Sequence, residues 1–167
     1  MKNIILVGMM SSGKTTLGKK LARSLGYRFV DLDKLIEKEE GTTIHTLFSE
    51  KGESYFREAE SRILKQTLPD NRLVLASGGG TPCFFDNMEF IKNTGISVFL
   101  DVPAADLAKR IENHGKDDRP ILSGAVSLVD ELAKKIEERR YYYSQADITI
   151  KGPAEVGDIM EAICPLL

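Results

Sequence analysis

The chain has 167 residues, with 23 Lys and Arg against 25 Asp and Glu, a formal charge of −2. Its 42% apolar and 29% charged content is that of an ordinary globular chain, long enough to bury one sizeable core. No run of 18 apolar residues could span a membrane, the first residues lack the pattern of a secretory leader, Cys83 and Cys164 share no pairing motif, and the balanced charge gives no general nucleic-acid footprint. The expectation is a cytoplasmic protein with neither membrane nor nucleic-acid partner.

In chain order, Asn3-Ile4-Ile5-Leu6-Val7 is apolar on both faces, as a central strand of a parallel sheet must be. Leu17, Leu21, Ala22 and Leu25 recur at helical spacing over 14–25, and Gly26 is a natural stop. A second strand is predicted over 28–31, then helices over 33–39 and, after Gly52, over 53–67, closed by Pro69. Further strands are predicted over 73–76, 96–100 and 147–150, and helices over 104–113, 127–142 and 154–163. Regular alternation of strand and helix implies an α/β fold with a parallel sheet covered on both faces, because each parallel crossover needs a helix.

Gly8-Met9-Met10-Ser11-Ser12-Gly13-Lys14-Thr15 matches G-x-x-x-x-G-K-[ST], and it lies between a buried strand and an amphipathic helix. Such a loop turns backbone N–H groups onto phosphate oxygens, and the helix N-terminus adds its dipole. Lys14 supplies a point charge for the β- and γ-phosphates, and the Thr15 hydroxyl can ligate Mg²⁺. Ser11, Ser12, Gly13, Lys14, Thr15 and Thr16 are therefore the candidate nucleotide-binding residues. At Met9 and Met10 only backbone is needed.

The chain has no N-K-x-D base-reading motif of a GTPase switch, and Asp101, before Val102-Pro103, reads as a loop or capping residue, not a motor's carboxylate. A kinase needs an acceptor site instead. Asp31-Leu32-Asp33 ends the second strand, and residues i and i+2 of an extended chain face the same way, placing both carboxylates at one sheet edge. One can serve Mg²⁺ through its water shell while the other accepts a hydroxyl proton or a hydrogen bond; the plainer alternative is that Asp33 caps the helix starting at Lys34. Gly78-Gly79-Gly80 follows the third strand, where three glycines suit close approach by a ligand, with bare N–H and C=O groups for a hydroxylated one. Arg119, in the polar stretch Asn113-His114-Gly115-Lys116-Asp117-Asp118-Arg119-Pro120, reads as the cation of a lid. His45 and His114 give no metal spacing, and Cys83 reads as a packed thiol.

The P-loop, Asp31 and Asp33, Phe56-Arg57, the triple glycine, Arg119-Pro120-Ile121-Leu122 and Glu138-Arg139-Arg140-Tyr141-Tyr142-Tyr143 together resemble the shikimate kinase family over essentially the whole chain. The resemblance implies a three-layer P-loop fold: a five-stranded parallel sheet with helices on both faces and a mobile lid, in one kinase domain over 1–167. The substrate-binding region would lie at about 33–62 and the lid at about 111–125. It implies transfer of the ATP γ-phosphate to the 3-hydroxyl of shikimate by a monomer. Asp33 would bind the shikimate hydroxyls, Arg57 and Arg139 its carboxylate, and Gly78, Gly79 and Gly80 its hydroxyls through backbone. Glu60 would orient Arg57; Arg119 would reach the phosphates. Arg110 and the loop at Pro153 would wall the adenine site, and Thr15, with Asp31 through water, would hold Mg²⁺. Two rivals remain at this point, a gluconate-kinase-like enzyme and a non-catalytic nucleotide-binding regulator.

Overall fold

A computed structural model describes residues 1–69, 71–113 and 127–167. Five strands, β1 (Asn3–Val7), β2 (Arg28–Asp31), β3 (Leu73–Ala76), β4 (Gly95–Asp101) and β5 (Ile148–Lys151), form one sheet in the order β2-β3-β1-β4-β5. Every neighbouring pair is parallel. β1 lies at the centre, and its four apolar residues Ile4 to Val7 are fully buried. They alternate between two cores, as the two-residue period of a strand requires. Ile4 and Leu6 pack with Leu17, Leu21 and Ala22 of α1 (Lys14–Leu25) and with Ile159 and Ile163 of the helix over Val156–Ile163. Ile5 and Val7 face a larger core on the opposite side of the sheet.

That second core is covered by α2 (Leu32–Glu40), α3 (Ile44–Thr67), α4 (Asn87–Thr94), α5 (Ala104–Asn113) and α6 (Leu128–Tyr143), which supply Ile36, Phe56, Ile63, Ile91, Leu107, Leu132 and Tyr143 among others. The helix after β5 is α7. The predicted three-layer α/β architecture is thus the one observed, with element ends shifted by a few residues. Gly26 caps α1 in the left-handed conformation that the sequence suggests.

Two helical segments differ from expectation. α3 begins at Ile44, before the Gly52 boundary; Gly52 (φ 85°, ψ 168°) interrupts it, and the piece ahead of the break is started by Thr43, whose hydroxyl accepts from the Thr46 amide. α4 is not predicted at all. It is only eight residues long, and its apolar residues Met88, Phe90 and Ile91 make too short a pattern to register as a period.

Everything expected to carry chemistry and described here leaves the carboxyl ends of the strands or faces them. The P-loop follows β1, Asp31 ends β2, and the glycines follow β3. β1 sits where crossovers run to both sides of the sheet, the crevice where open α/β sheets take their ligands.

Candidate active site

A cleft of about 620 Å³ opens above these strand ends, lined by Ser11, Gly13, Lys14, Thr15, Thr16, Asp31, Asp33, Gly79 and Arg110 and closed on one side by Ala154, Glu155 and Val156. The loop around it is held in unusual backbone conformations, with Ser11 at φ 61° and Gly13 at φ 100°. α1 starts at Gly13 without a side-chain cap, so its first N–H groups face the loop. Ser12 Oγ is buried with no hydrogen-bond partner, alone in this among the buried side-chain atoms of the described residues. An orphaned hydroxyl beside an uncapped helix start suits a phosphate group.

The Lys14 side chain is buried, and Nζ donates to Gly8 O and Met9 O at 2.7 Å each. Burial lowers its pKa to about 8, against the opposing pull of Asp33 and Asp31. Arg110 Nη1 reaches back across the cleft to donate to Ser11 O at 2.9 Å, joining α5 to the P-loop. Pro153 is exposed and lies just outside the cleft lining, which its neighbours Ala154 to Val156 form instead. Arg119 and most of the predicted lid lie outside the described residues.

The two aspartates divide their work differently from the extended-chain expectation. Asp31 Oδ1 accepts from the Lys34 amide at 3.2 Å and caps α2, while Oδ2 accepts from the Thr15 hydroxyl at 3.0 Å. The capping role considered for Asp33 therefore falls to Asp31, because α2 begins at Leu32. Asp33 sits in the first helical turn, not on extended backbone, and both residues still line the cleft. Burial, and next the charges of Asp31 and Glu60, push the Asp33 carboxyl up to about 6, with Lys14 opposing. Thr15 and Asp31 together offer hard oxygen donors of the kind a Mg²⁺ ion takes. Among the described residues no cluster of three or more His, Cys, Asp or Glu could hold a metal ion by itself.

The three glycines explain themselves through what surrounds them. A Cβ at Gly78 would stand 2.8 Å from Asp33 Oδ1, one at Gly79 2.9 Å from Arg139 Nη1, and one at Gly80 2.7 Å from both terminal nitrogens of Arg57. Each glycine makes room for one of the three predicted substrate side chains. The carbonyls are engaged within the protein: Gly78 O accepts from Thr81 N, Gly79 O from the Tyr143 hydroxyl and Gly80 O from Cys83 N.

Arg57 is fixed from several sides. Nη1 donates to Glu60 Oε1 at 3.0 Å, Nε lies 3.4 Å from Glu53 Oε1, and the guanidinium stacks 4.0 Å from the Phe84 ring centre. Glu60, itself 1% exposed, also accepts from Thr81 Oγ1 at 2.8 Å; burial raises its carboxyl pKa and its bonds to Arg57 and Thr81 lower it. The predicted orienting role of Glu60 thus has its contact. Phe84, Thr81, Met9 and Tyr143 are missed by the sequence reading. Met9 departs from the expectation that only its backbone matters, because its side chain is 3% exposed and its sulfur meets Arg139 and Tyr143. Asp101, at the end of β4, pairs with Arg140 at 3.7 Å, a contact the loop or capping reading does not include.

A strand–P-loop–helix unit at the centre of a five-stranded parallel sheet, with an acidic and cationic acceptor site beside it, defines a P-loop small-molecule kinase. The shikimate kinase family model matches residues 10–165. The chain is similar to the shikimate kinase of Persephonella marina, with 46% identity over 160 residues, covering 93% of this chain and 94% of that one. It superposes on the crystal structure of shikimate kinase from Bacteroides thetaiotaomicron with a TM-score of 0.89 at 37% identity, over 99% and 97% of the two chains. The shikimate kinase of Acinetobacter baumannii, solved in complex with shikimate, gives 0.85 at 34% identity over 99% and 92%. The chain belongs to the shikimate kinase family.

Proposed function

We infer that this chain transfers the γ-phosphoryl group of ATP to the 3-hydroxyl of shikimate, giving shikimate 3-phosphate and ADP, a step toward chorismate and the aromatic amino acids. The observation that carries the reading is the glycine turn, which gathers Asp33, Arg139 and Arg57 opposite the phosphate loop. A cyclic carboxylic acid bearing hydroxyls matches that set: two guanidinium forks for a carboxylate, backbone N–H groups and one carboxylate for the hydroxyls. In the transfer, the O–P bond forms at the 3-hydroxyl as the bond to the ADP leaving oxygen breaks. Asp33 positions that hydroxyl and takes its proton.

Lys14 and Arg119 stabilise charge on the phosphoryl oxygens, and Ser11, Ser12, Gly13 and Thr16 bind phosphate through the loop and helix start. Arg110 and the loop from Pro153 to Val156 bound the adenine. Thr15, and Asp31 through water, would hold Mg²⁺, which would neutralise phosphate charge. The chain works as a single kinase domain and a monomer in the cytoplasm, with a substrate region at about 33–62 and a lid at about 111–125. No helix of the described residues is long and apolar enough to cross a membrane.

The test is ADP release measured with shikimate, with gluconate and with no acceptor. Release that depends on shikimate supports the reading. Equal or greater release with gluconate replaces it by the sugar-acid kinase, and nucleotide binding without release with any acceptor replaces it by the regulator.

A further inference from the structure

Tyr143, near the end of α6, has the bulkiest fully buried side chain among the described residues. Its ring packs against Phe99 of β4 with centres 5.0 Å apart, so the hydroxyl is held by a core contact and not by a flexible stem. That hydroxyl donates its single proton to Gly79 O. Its lone pair faces Arg139, one helical turn earlier, whose Nη1 stands 3.5 Å away. The same Nη1 lies 3.7 Å from Met9 Sδ, and Met9 Sδ lies 3.8 Å from the Tyr143 hydroxyl. Gly79 completes the ring of contacts, since a Cβ there would meet Arg139 Nη1 at 2.9 Å. Burial pushes the Tyr143 pKa up to about 12, so the phenol remains a donor through the whole working pH range.

We propose that Tyr143 is a positioning residue for the acceptor: with the Met9 thioether it fixes the Arg139 guanidinium against the Gly79 peptide, so that the arginine meets its ligand already aimed. This rests on the reading above, in which Arg139 holds the acceptor carboxylate. The arrangement ties three segments distant in sequence, the P-loop, the glycine turn and α6, at one point. An arginine left to many rotamers would lose side-chain freedom on binding; one already braced loses less.

A double-mutant cycle tests this, using Tyr143→Phe, Arg139→Lys and their combination, with ADP release followed against shikimate and against ATP. Tyr143→Phe keeps the buried ring and removes only the hydroxyl. It is expected to raise the shikimate KM about 3- to 10-fold, the worth of one hydrogen bond, with the ATP KM within two-fold and the unfolding temperature somewhat lowered because Gly79 O loses its donor. In the Arg139→Lys background it should raise the shikimate KM no further, because both changes act through one guanidinium. A shikimate KM that Tyr143→Phe leaves unchanged, or a rise fully additive with Arg139→Lys, overturns the proposal while the kinase reading stands. If Arg139→Lys itself leaves the shikimate KM at the wild-type value, the carboxylate assignment falls and the proposal with it. Should Tyr143→Phe fail to fold by circular dichroism, Met9→Leu, which keeps the volume and removes the sulfur, goes through the same cycle with the same deciding outcomes.

Discussion

The guanidinium of Arg57 occupies the space that a side chain at Gly80 would need, with both terminal nitrogens 2.7 Å from the position of a Cβ there. Gly80→Ala must therefore push aside either the turn or the arginine, and Glu60 and Phe84 hold the arginine in place. The expected outcome is a rise of the shikimate KM by about 10- to 100-fold, the worth of a charge-assisted contact, with ATP binding retained. Steady-state kinetics beside Arg57→Ala decides it, since the two variants should fail in the same way.

Asp33→Asn should lower turnover by about 10²- to 10⁴-fold, the usual worth of a proton-accepting group, with nucleotide affinity little changed. The same substitution has a stability signature. The Asp33 carboxyl titrates at about 6 in the folded chain against an ordinary 3.8, so the folded state holds this proton more tightly than the unfolded one. Its burden is absent below about pH 4, grows as pH rises toward 6 and is complete above that, up to about 3 kcal/mol for a two-unit shift. Asn carries no such burden. Urea unfolding in chelator should find Asp33→Asn more stable than wild type above pH 6, with the difference vanishing near pH 4.

Asp31 both caps α2 and accepts from Thr15, and two substitutions separate these roles. Asp31→Asn keeps a capping oxygen, so stability should stay close to wild type while the Mg²⁺ concentration needed for half-maximal activity rises. Asp31→Ala should show the same metal defect plus a loss of about 1 kcal/mol from the missing cap. Magnesium titrations of activity, set beside denaturation curves, check both.

Asn3 supplies a test of the fold alone. Its buried amide donates to Leu68 O at 2.7 Å and its carbonyl oxygen accepts from Leu73 N at 3.1 Å, pinning the end of α3 and the start of β3 to β1. Asn3→Leu leaves two buried backbone groups unpaired. It should cost about 2–4 kcal/mol by denaturant unfolding and leave both KM values unchanged in the cold.

What could be read in advance follows from how local each signal is. The P-loop is contiguous, and β1, β3 and β4 are apolar on both faces, so loop and strands alike declare themselves. The aspartate pair was legible as a pair, but not which member caps the helix, because that turned on α2 starting at Leu32, one residue ahead of its expected start. Phe84, Thr81, Met9 and Tyr143 were not legible as site neighbours. Their partners lie 21 to 134 residues away for the bonds from Thr81 to Glu60 and from Tyr143 to Met9, and nothing in a linear pattern marks such a meeting. The triple glycine signalled close approach correctly, but by side chains of the protein as well as by a ligand.

The glycine turn also bears on how the chain reaches its working form. Three successive glycines hold little conformational preference by themselves, so the packing around the turn is completed by Asp33, Arg57 and Arg139 from elsewhere in the chain. Those residues come from α2, α3 and α6, and the loop closures among them are long. The phosphate loop, by contrast, is contiguous in sequence between β1 and α1, with Arg110 of α5 and Arg139 of α6 joining it from afar. Nucleotide recognition is therefore expected to need fewer long closures than acceptor recognition, and refolding followed by both ligands should recover the first before the second.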